Sequence, residues 1–332
     1  MTRGVWLPVG GSHDCLPEVS PNVFHCVVGD VRFLEHCVEG GGGRGAGRGL
    51  GSEHPPAAPP APTLPPMCLL IVISGVVPGI PLIVAANRDE RLARPAIPMT
   101  RLDGVGGPAI RGGRDEVGGG TWLATNEVGV VAGLTNRPLR DGPDAAKRSR
   151  GELPLALVGH PTAAAAVESF GTAIDPGAYN PCWLLVADRN DAFFVDVTAT
   201  DEVIVEHLRP GVHVLENRNL HEPSPKADRV RELLDPALRG QDTSVLEILP
   251  TLLADHKVPP GEPPADASNP RLAAAAQAIC VHADEDDYGT RSSAIITVDD
   301  HAGPPNIRWT GDAPCHGQWE RSYSLWSRSA GQ

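Results

Sequence analysis

Cys68 stands directly after Met67 at the head of an apolar run, residues 68–74, and a second run, 82–86, ends in Asn87-Arg88-Asp89-Glu90. A short Pro/Gly turn separates the two runs. Two strand-length runs joined by a turn predict a hairpin, which returns the end of its second strand to the start of its first. Cys68 is therefore expected beside Arg88 and Asp89. A thiol near a guanidinium is a candidate nucleophile, because a neighbouring cation favours the thiolate. Amide hydrolysis needs such a nucleophile, a proton acceptor, and donors aimed at the developing oxyanion. A cysteine at the start of a mature chain supplies the first two, since its α-amine titrates ordinarily near pH 8. Asp89 would then bind the ammonium. The competing reading makes Cys68 a buried apolar strand residue, and Arg88 and Asp89 a surface ion pair worth about 0–1 kcal/mol.

Met-Cys followed by Asn-Arg-Asp-Glu at this spacing resembles the NRDE family, related to the transport-and-Golgi-organisation proteins, from roughly Met67 to Trp326. The resemblance implies an α+β fold, a four-layer αββα sandwich of the N-terminal-nucleophile hydrolase type. In amidases of that fold the first residue of the mature chain attacks an amide. In the cholylglycine-hydrolase and penicillin-acylase branch, an Arg and an Asp lie at a distance from the cysteine similar to that of Arg88 and Asp89. Asn126-Glu127-Val128-Gly129 followed by Gly133-Leu134-Thr135-Asn136 resembles the NE-x-G…G-L-x-N segment of those amidases. That implies a side-chain amide donated by Asn136 to the oxyanion.

Val214-Leu215-Glu216-Asn217 resembles the relatives' V-L-T-N segment, whose asparagine holds substrate or nucleophile; Glu216 stands where Ser or Thr is usual. Pro223-Ser224-Pro225-Lys226 partly keeps a D-T-P-W-x-K pattern but lacks its tryptophan. Tyr288-Gly289-Thr290-Arg291-Ser292-Ser293 matches the family closely, which makes Arg291 the counterpart of a second site arginine. The candidate catalytic set is Cys68, Arg88, Asp89, Asn136, Asn217 and Arg291.

These residues must be carried by the elements between them. Residues 91–98 read as a Pro-punctuated loop, and the glycine-dense stretch 104–120 as a segment winding over the surface near the site. Strands are expected at 121–124 and 128–134, with a turn at Asn126-Glu127, then helices at 150–158 and 162–170. Strands follow at 183–187, 192–198, 203–207 and 212–215. Helices are expected at 226–234 and 244–253, the latter capped by Thr243. A Pro-rich surface loop, 258–270, precedes strands at 292–298 and 307–310. Strands in groups with helices between them fit layered α+β packing.

The 332 residues carry a net charge of −13, which argues against nucleic acid, whose phosphates need a concentrated basic face. No apolar run reaches the eighteen or so residues of a membrane span. Seven cysteines, scattered without CxxC pairs, argue against a disulfide framework and a zinc knuckle, and for a reducing cytoplasm. Asp284-Glu285-Asp286-Asp287 is no calcium loop, because Tyr288 and Ile295 occupy positions that need oxygen ligands. His282 beside it is set aside as part of a solvated loop, so no cofactor and no metal is expected. Residues 1–66, with Gly40 to Gly43 and the Pro/Ala tract 55–66, form a leader too poor in apolar surface to fold. Three readings of that leader stand open: a misplaced start before the true one at Met67, a propeptide removed ahead of Cys68, or a tail that leaves Cys68 without a free amine. Residues 67–332 form one domain.

Two functions fit. The first is a cysteine amidohydrolase cleaving a non-peptide C–N bond in a small molecule. The second is a carrier that uses the same fold for an apolar ligand, haem or lipid, as the family's association with secretion, Golgi organisation and haem or lipid handling implies. Histidines such as His207, His213 and His282 would then be needed as axial ligands.

Overall fold

A computed structural model describes residues 68–102, 107–139, 142–240, 244–260, 269–301, 303–321 and 326. The leader, Met67 and Thr243 lie outside the described residues. Strands β1 (Cys68–Val77) and β2 (Ile80–Arg91) form the expected hairpin around Pro78-Gly79, where Gly79 takes φ +74°. β3 (Ala96–Leu102), β4 (Ile110–Asp115), β5 (Leu123–Asn126) and β6 (Val131–Asn136) follow. Helices α1 (Glu152–Val158) and α2 (Ala163–Ala173) lead to β7 (Cys182–Ala187), β8 (Ala192–Val197), β9 (Val203–Leu208) and β10 (Gly211–Leu215). α3 (Pro225–Leu238), α4 (Val245–Leu253) and α5 (Pro270–Ala275) precede β11 (His282–Ala283), β12 (Tyr288–Val298), β13 (Asn306–Thr310) and β14 (Glu320–Arg321).

Among the described residues the strands form two antiparallel sheets. One runs β10-β1-β2-β12-β13-β14, with β11 paired to β12, and the other runs β3 to β9 in chain order. Strand alternation sorts the side chains of each sheet onto two faces. Leu70, Val72, Leu82, Val84 and Ala86 meet Leu123, Val131, Trp183, Leu185 and Phe194 of the other sheet. Leu69, Ile71, Ile73, Ile83 and Ala85 face the opposite way, onto Val230 and Leu234 of α3 and Leu249 and Leu252 of α4. The outer face of the second sheet, including Ala132, Leu134 and Leu184, packs on Leu153 and Leu157 of α1 and Phe170 of α2. Three apolar interfaces between four layers make the expected αββα sandwich.

Three expectations are corrected. The second hairpin strand does not stop before Asn87-Arg88-Asp89-Glu90 but carries all four, buried, at its end. β12 pairs along its other edge from Tyr288↔Arg91 to Val298↔Leu82, so the polar quartet lies inside a sheet rather than at a rim. The glycine-dense stretch contains β4, and β3 begins within the Pro-punctuated loop; the two strands lie at the edge of the second sheet. Their glycines serve close packing: a Cβ on Gly113 would fall 2.1 Å from the Trp122 ring. Finally, the residue flanking α4 is Ser244, whose N–H donates to Glu247 at 3.1 Å in a capping box. No helix among the described residues is long and apolar enough to cross a membrane.

Candidate active site

Each residue of the Asn-Arg-Asp-Glu quartet has its own set of partners, and alternation decides which layer supplies them. Arg88 pairs with Cys68 across the hairpin, on the face toward the second sheet. Its guanidinium lies over the Trp122 ring, 4.6 Å from the centroid, and donates through Nη2 to Asp115 at 3.2 Å. Glu90 stands 3.6 Å away, and Arg94 grips Asp115 through two bonds of 2.8 and 3.0 Å. Two cations and two carboxylates therefore neutralise one another. Burial would raise the Asp115 carboxyl, but the Arg94 bonds and the Gly118 N–H hold it below the ordinary carboxylate range. Arg88 Nη1, although buried, has no hydrogen-bond partner among the described residues. Such a donor is costly unless something else fills the space.

Asn87 and Asp89 point the other way, toward the α3–α4 layer. Asn87 donates to the carbonyls of Leu253 and Ile279 at 2.9 and 2.8 Å, and accepts from Ser293 at 2.6 Å. Asp89 accepts from the Thr290 hydroxyl at 2.6 Å, and its Oδ2 lies 3.9 Å from Lys226 Nζ. Lys226, 1% exposed, is a lysine buried to the tip of its chain. Burial pushes the Asp89 carboxyl up to about 6, against the opposing pull of Lys226 and then Thr290. Asp89 thus already has a cation on its own face of the sheet.

Cys68 is 6% exposed. Burial first, and the Asp89 charge second, push its thiol up to about 12, outweighing Arg88 and the N–H of Asp89 that donates to the sulfur. The thiolate favoured by Arg88 that the sequence suggests is therefore not the resting form. The Cys68 N–H donates to Asn217 Oδ1 at 3.1 Å, and Asn217 Nδ2 donates to the carbonyl of Asn136 at 2.6 Å. Asn217, just beyond β10, so ties the start of β1 to the end of β6 across the gap between the sheets. These two bonds also fix which way its amide points. Glu216, where the resemblance leads one to expect Ser or Thr, accepts a hydrogen bond from the Ser224 hydroxyl that caps α3. The substitution thereby secures the loop leading to Lys226.

Cys68, Arg88, Asn217 and Asn136 form one connected group. Asp89 lies on the reverse face of β2. Arg291 is the extra residue of a bulge between Thr290, paired with Asp89, and Ser292, paired with Arg88; its guanidinium donates to the Arg91 carbonyl at 3.5 Å. Sequence reasoning missed Asn87, Trp122, Asp115 and Thr290 as supports, and Lys226 as the partner of Asp89. Asn87, Thr290 and Lys226 carried a signal, in the Asn-Arg-Asp-Glu quartet, the Tyr288–Ser293 segment and the partly kept Pro-Ser-Pro-Lys segment, whereas Trp122 and Asp115 carried none.

The Transport and Golgi organisation 2 family matches residues 67–306. The Transport and Golgi organization protein 2 homolog of Bos taurus is 31% identical over 239 residues, 66% of this chain and 82% of that protein. The Homo sapiens homolog is 30% identical over the same extent. Among solved structures, the chain is similar to a Caenorhabditis elegans N-acylethanolamine-hydrolyzing acid amidase ortholog at 14% identity and TM-score 0.44, covering 69% of this chain and 92% of that one. It is also similar to a mutant of the conjugated bile acid hydrolase from Clostridium perfringens, at 10% identity and TM-score 0.43, covering 76% of this chain and 96% of that one. By its match over residues 67–306 and by its relatives, this chain belongs to the Transport and Golgi organisation 2 family.

Proposed function

We propose that this protein is a cysteine amidohydrolase that cleaves a linear, non-peptide amide once Cys68 has become the first residue of the chain. The observation that carries the reading is the hydrogen bond from the Cys68 nitrogen to Asn217 Oδ1, made beside the buried Arg88 Nη1, which has no hydrogen-bond partner among the described residues. Freed by cleavage before Cys68, that nitrogen becomes an amine still anchored by Asn217. A thiol raised to about 12 does not attack as a preformed thiolate. It needs a base at the moment of attack, and the neutral α-amine is that base.

In the proposed reaction the sulfur adds to the amide carbon while the thiol proton passes to the α-amine. The side chains of Asn136 and Arg88 steady the oxyanion. The resulting ammonium protonates the departing nitrogen, leaving a thioester on Cys68. Water, activated by the same amine, then releases the acid and restores the thiol. Asp89 and Lys226 hold the reverse face of β2, and Arg291, at the bulge beside them, is the residue we assign to substrate contact. The four cysteines among the described residues are free, in keeping with the reducing cytoplasm we propose as the setting.

The relatives' name, transport and Golgi organisation, describes a cellular process that an enzyme or a carrier of haem or lipid could serve. Two histidines that a haem carrier could use are engaged, His207 with Asp191 at 2.9 Å and His213 with the Arg209 carbonyl at 2.8 Å. The deciding experiment compares the full chain with one beginning at Cys68 on a panel of fluorogenic N-acyl amides, with haem and fatty-acid binding measured in parallel. The chain beginning at Cys68 should hydrolyse at least one amide while the full chain is inert, and iodoacetamide should label Cys68 only in the shorter chain. Ligand binding by both chains with no cleavage by either would replace the enzyme with the carrier.

A further inference from the structure

Away from the Cys68 group, three segments distant in sequence bring two thiols and two imidazoles to one point. His256 follows α4, Cys280 lies just before β11 and His282 opens it, and Cys315 follows β13. One ligand atom of each residue can be chosen so that all four lie within 4.8 Å of one another. The two sulfurs are 3.8 Å apart, and His282 Nε2 lies 3.7 Å from Cys280 Sγ and 3.3 Å from Cys315 Sγ. A tetrahedral zinc ion with bonds of about 2.3 Å to sulfur and about 2.0–2.1 Å to nitrogen requires edges of roughly 3.3–3.8 Å between its ligand atoms. Three of the four residues therefore already stand at the vertices of such a tetrahedron. Only a modest swing of the exposed His256 ring is needed to complete it.

His256 is also poised as a ligand in the way metal-bound imidazoles are. Its Nδ1 faces the Cys280 carbonyl at 3.4 Å, an acceptor only, so Nδ1 carries the proton and Nε2 is left with its lone pair. The His316 ring lies alongside, 5.5 Å from that of His282.

We infer that His256, Cys280, His282 and Cys315 bind one zinc ion as a structural Cys2His2 site. Four protein ligands leave no open position for substrate, so the ion clamps rather than catalyses. Two thiols of this set lose their protons on binding, and the ion offsets the charge of two adjacent thiolates. What it clamps is specific. The Cys280 N–H donates to the Asp255 carbonyl at 2.9 Å, and the ligands close sequence gaps of 24 and 35 residues. The segments joined are those that hold the reverse face of β2. Leu253 and Ile279 offer their carbonyls to Asn87, and the Val281 N–H donates to the Thr290 hydroxyl that in turn donates to Asp89. The cluster escapes a search by spacing because only Cys280 and His282 are near neighbours in sequence.

The test begins with the full chain, purified under reducing conditions from cells grown with added zinc, and metal analysis by plasma mass spectrometry. About one zinc per chain is expected, falling to background in Cys315→Ser and His282→Ala, both substitutions at positions exposed enough to be tolerated. Replacing zinc by Co²⁺ in the unmodified chain should give the intense visible bands and the thiolate-to-metal charge-transfer band of a tetrahedral thiolate site. That spectrum decides the matter even if a variant fails to fold. Three results overturn the site: no metal with a featureless Co²⁺ spectrum, a zinc content unchanged in the two variants, or a Cys280–Cys315 disulfide recovered in place of free thiols.

Discussion

Lys226→Met is expected to cost about 2–3 kcal/mol of stability at pH 8, because the Asp89 carboxyl, left in the interior without its cation, must either stay charged or bind a proton. The loss should shrink as the pH falls. Asp89 already titrates at about 6, raised by burial from the ordinary carboxylate range, and Lys226 is the strongest influence holding it down; Thr290 and Arg88 also lower it and Glu216 raises it. Removing Lys226 moves the folded-state value higher still. A carboxyl whose folded value exceeds its unfolded one gives stability that is complete below the unfolded value and is lost as pH rises through the folded value. For the variant that window runs from the ordinary carboxylate value to beyond about 6, and only its part above about pH 6 is not shared with the parent, so at pH 5.5 Asp89 is protonated in the variant and much of the deficit is recovered. Urea midpoints for both proteins at pH 8 and pH 5.5 check this. An equal deficit at both values would mean that Lys226 contributes packing alone.

The second large effect is on turnover. In the chain beginning at Cys68, Cys68→Ala should abolish amide hydrolysis while the fold survives, because it deletes one small buried atom and keeps the Cβ. Asn136→Ala should leave Cys68 reactive toward iodoacetamide but reduce turnover by about 10²–10³-fold, the usual consequence of losing one oxyanion donor. Melting temperature and labelling rate, measured beside turnover, separate chemistry from folding. Hydrolysis that persists in Cys68→Ala would remove the cysteine from the mechanism.

The hairpin, most of the helices and the layered class were legible because apolar runs and turn residues report them directly. β3 and β4 were not. Their glycines read as loop, yet Gly113 is small because Trp122 lies against it, and Trp122 in turn carries the Arg88 guanidinium. The polar quartet was legible as important but misplaced. A run of four polar residues signals a strand end only while the pairing partner, β12, is unknown. Lys226 illustrates a further limit. Lysine is a surface residue by type, and only the three-dimensional position of Asp89 makes its burial favourable. The grouping of Cys280, His282 and Cys315 belongs to the same class, since proximity across 35 residues of chain leaves no trace in composition or spacing.

A covalent intermediate between Cys68 and an amide can be trapped. The chain beginning at Cys68 is mixed with each N-acyl amide of the panel and quenched in acid within seconds, and its N-terminal peptide is analysed by mass spectrometry. The mass of one acyl group is expected on Cys68, on the sulfur or transferred to the adjacent amine, and none on the chain that retains residues 1–67. An unmodified Cys68 with amides that are nonetheless hydrolysed would contradict covalent catalysis by Cys68.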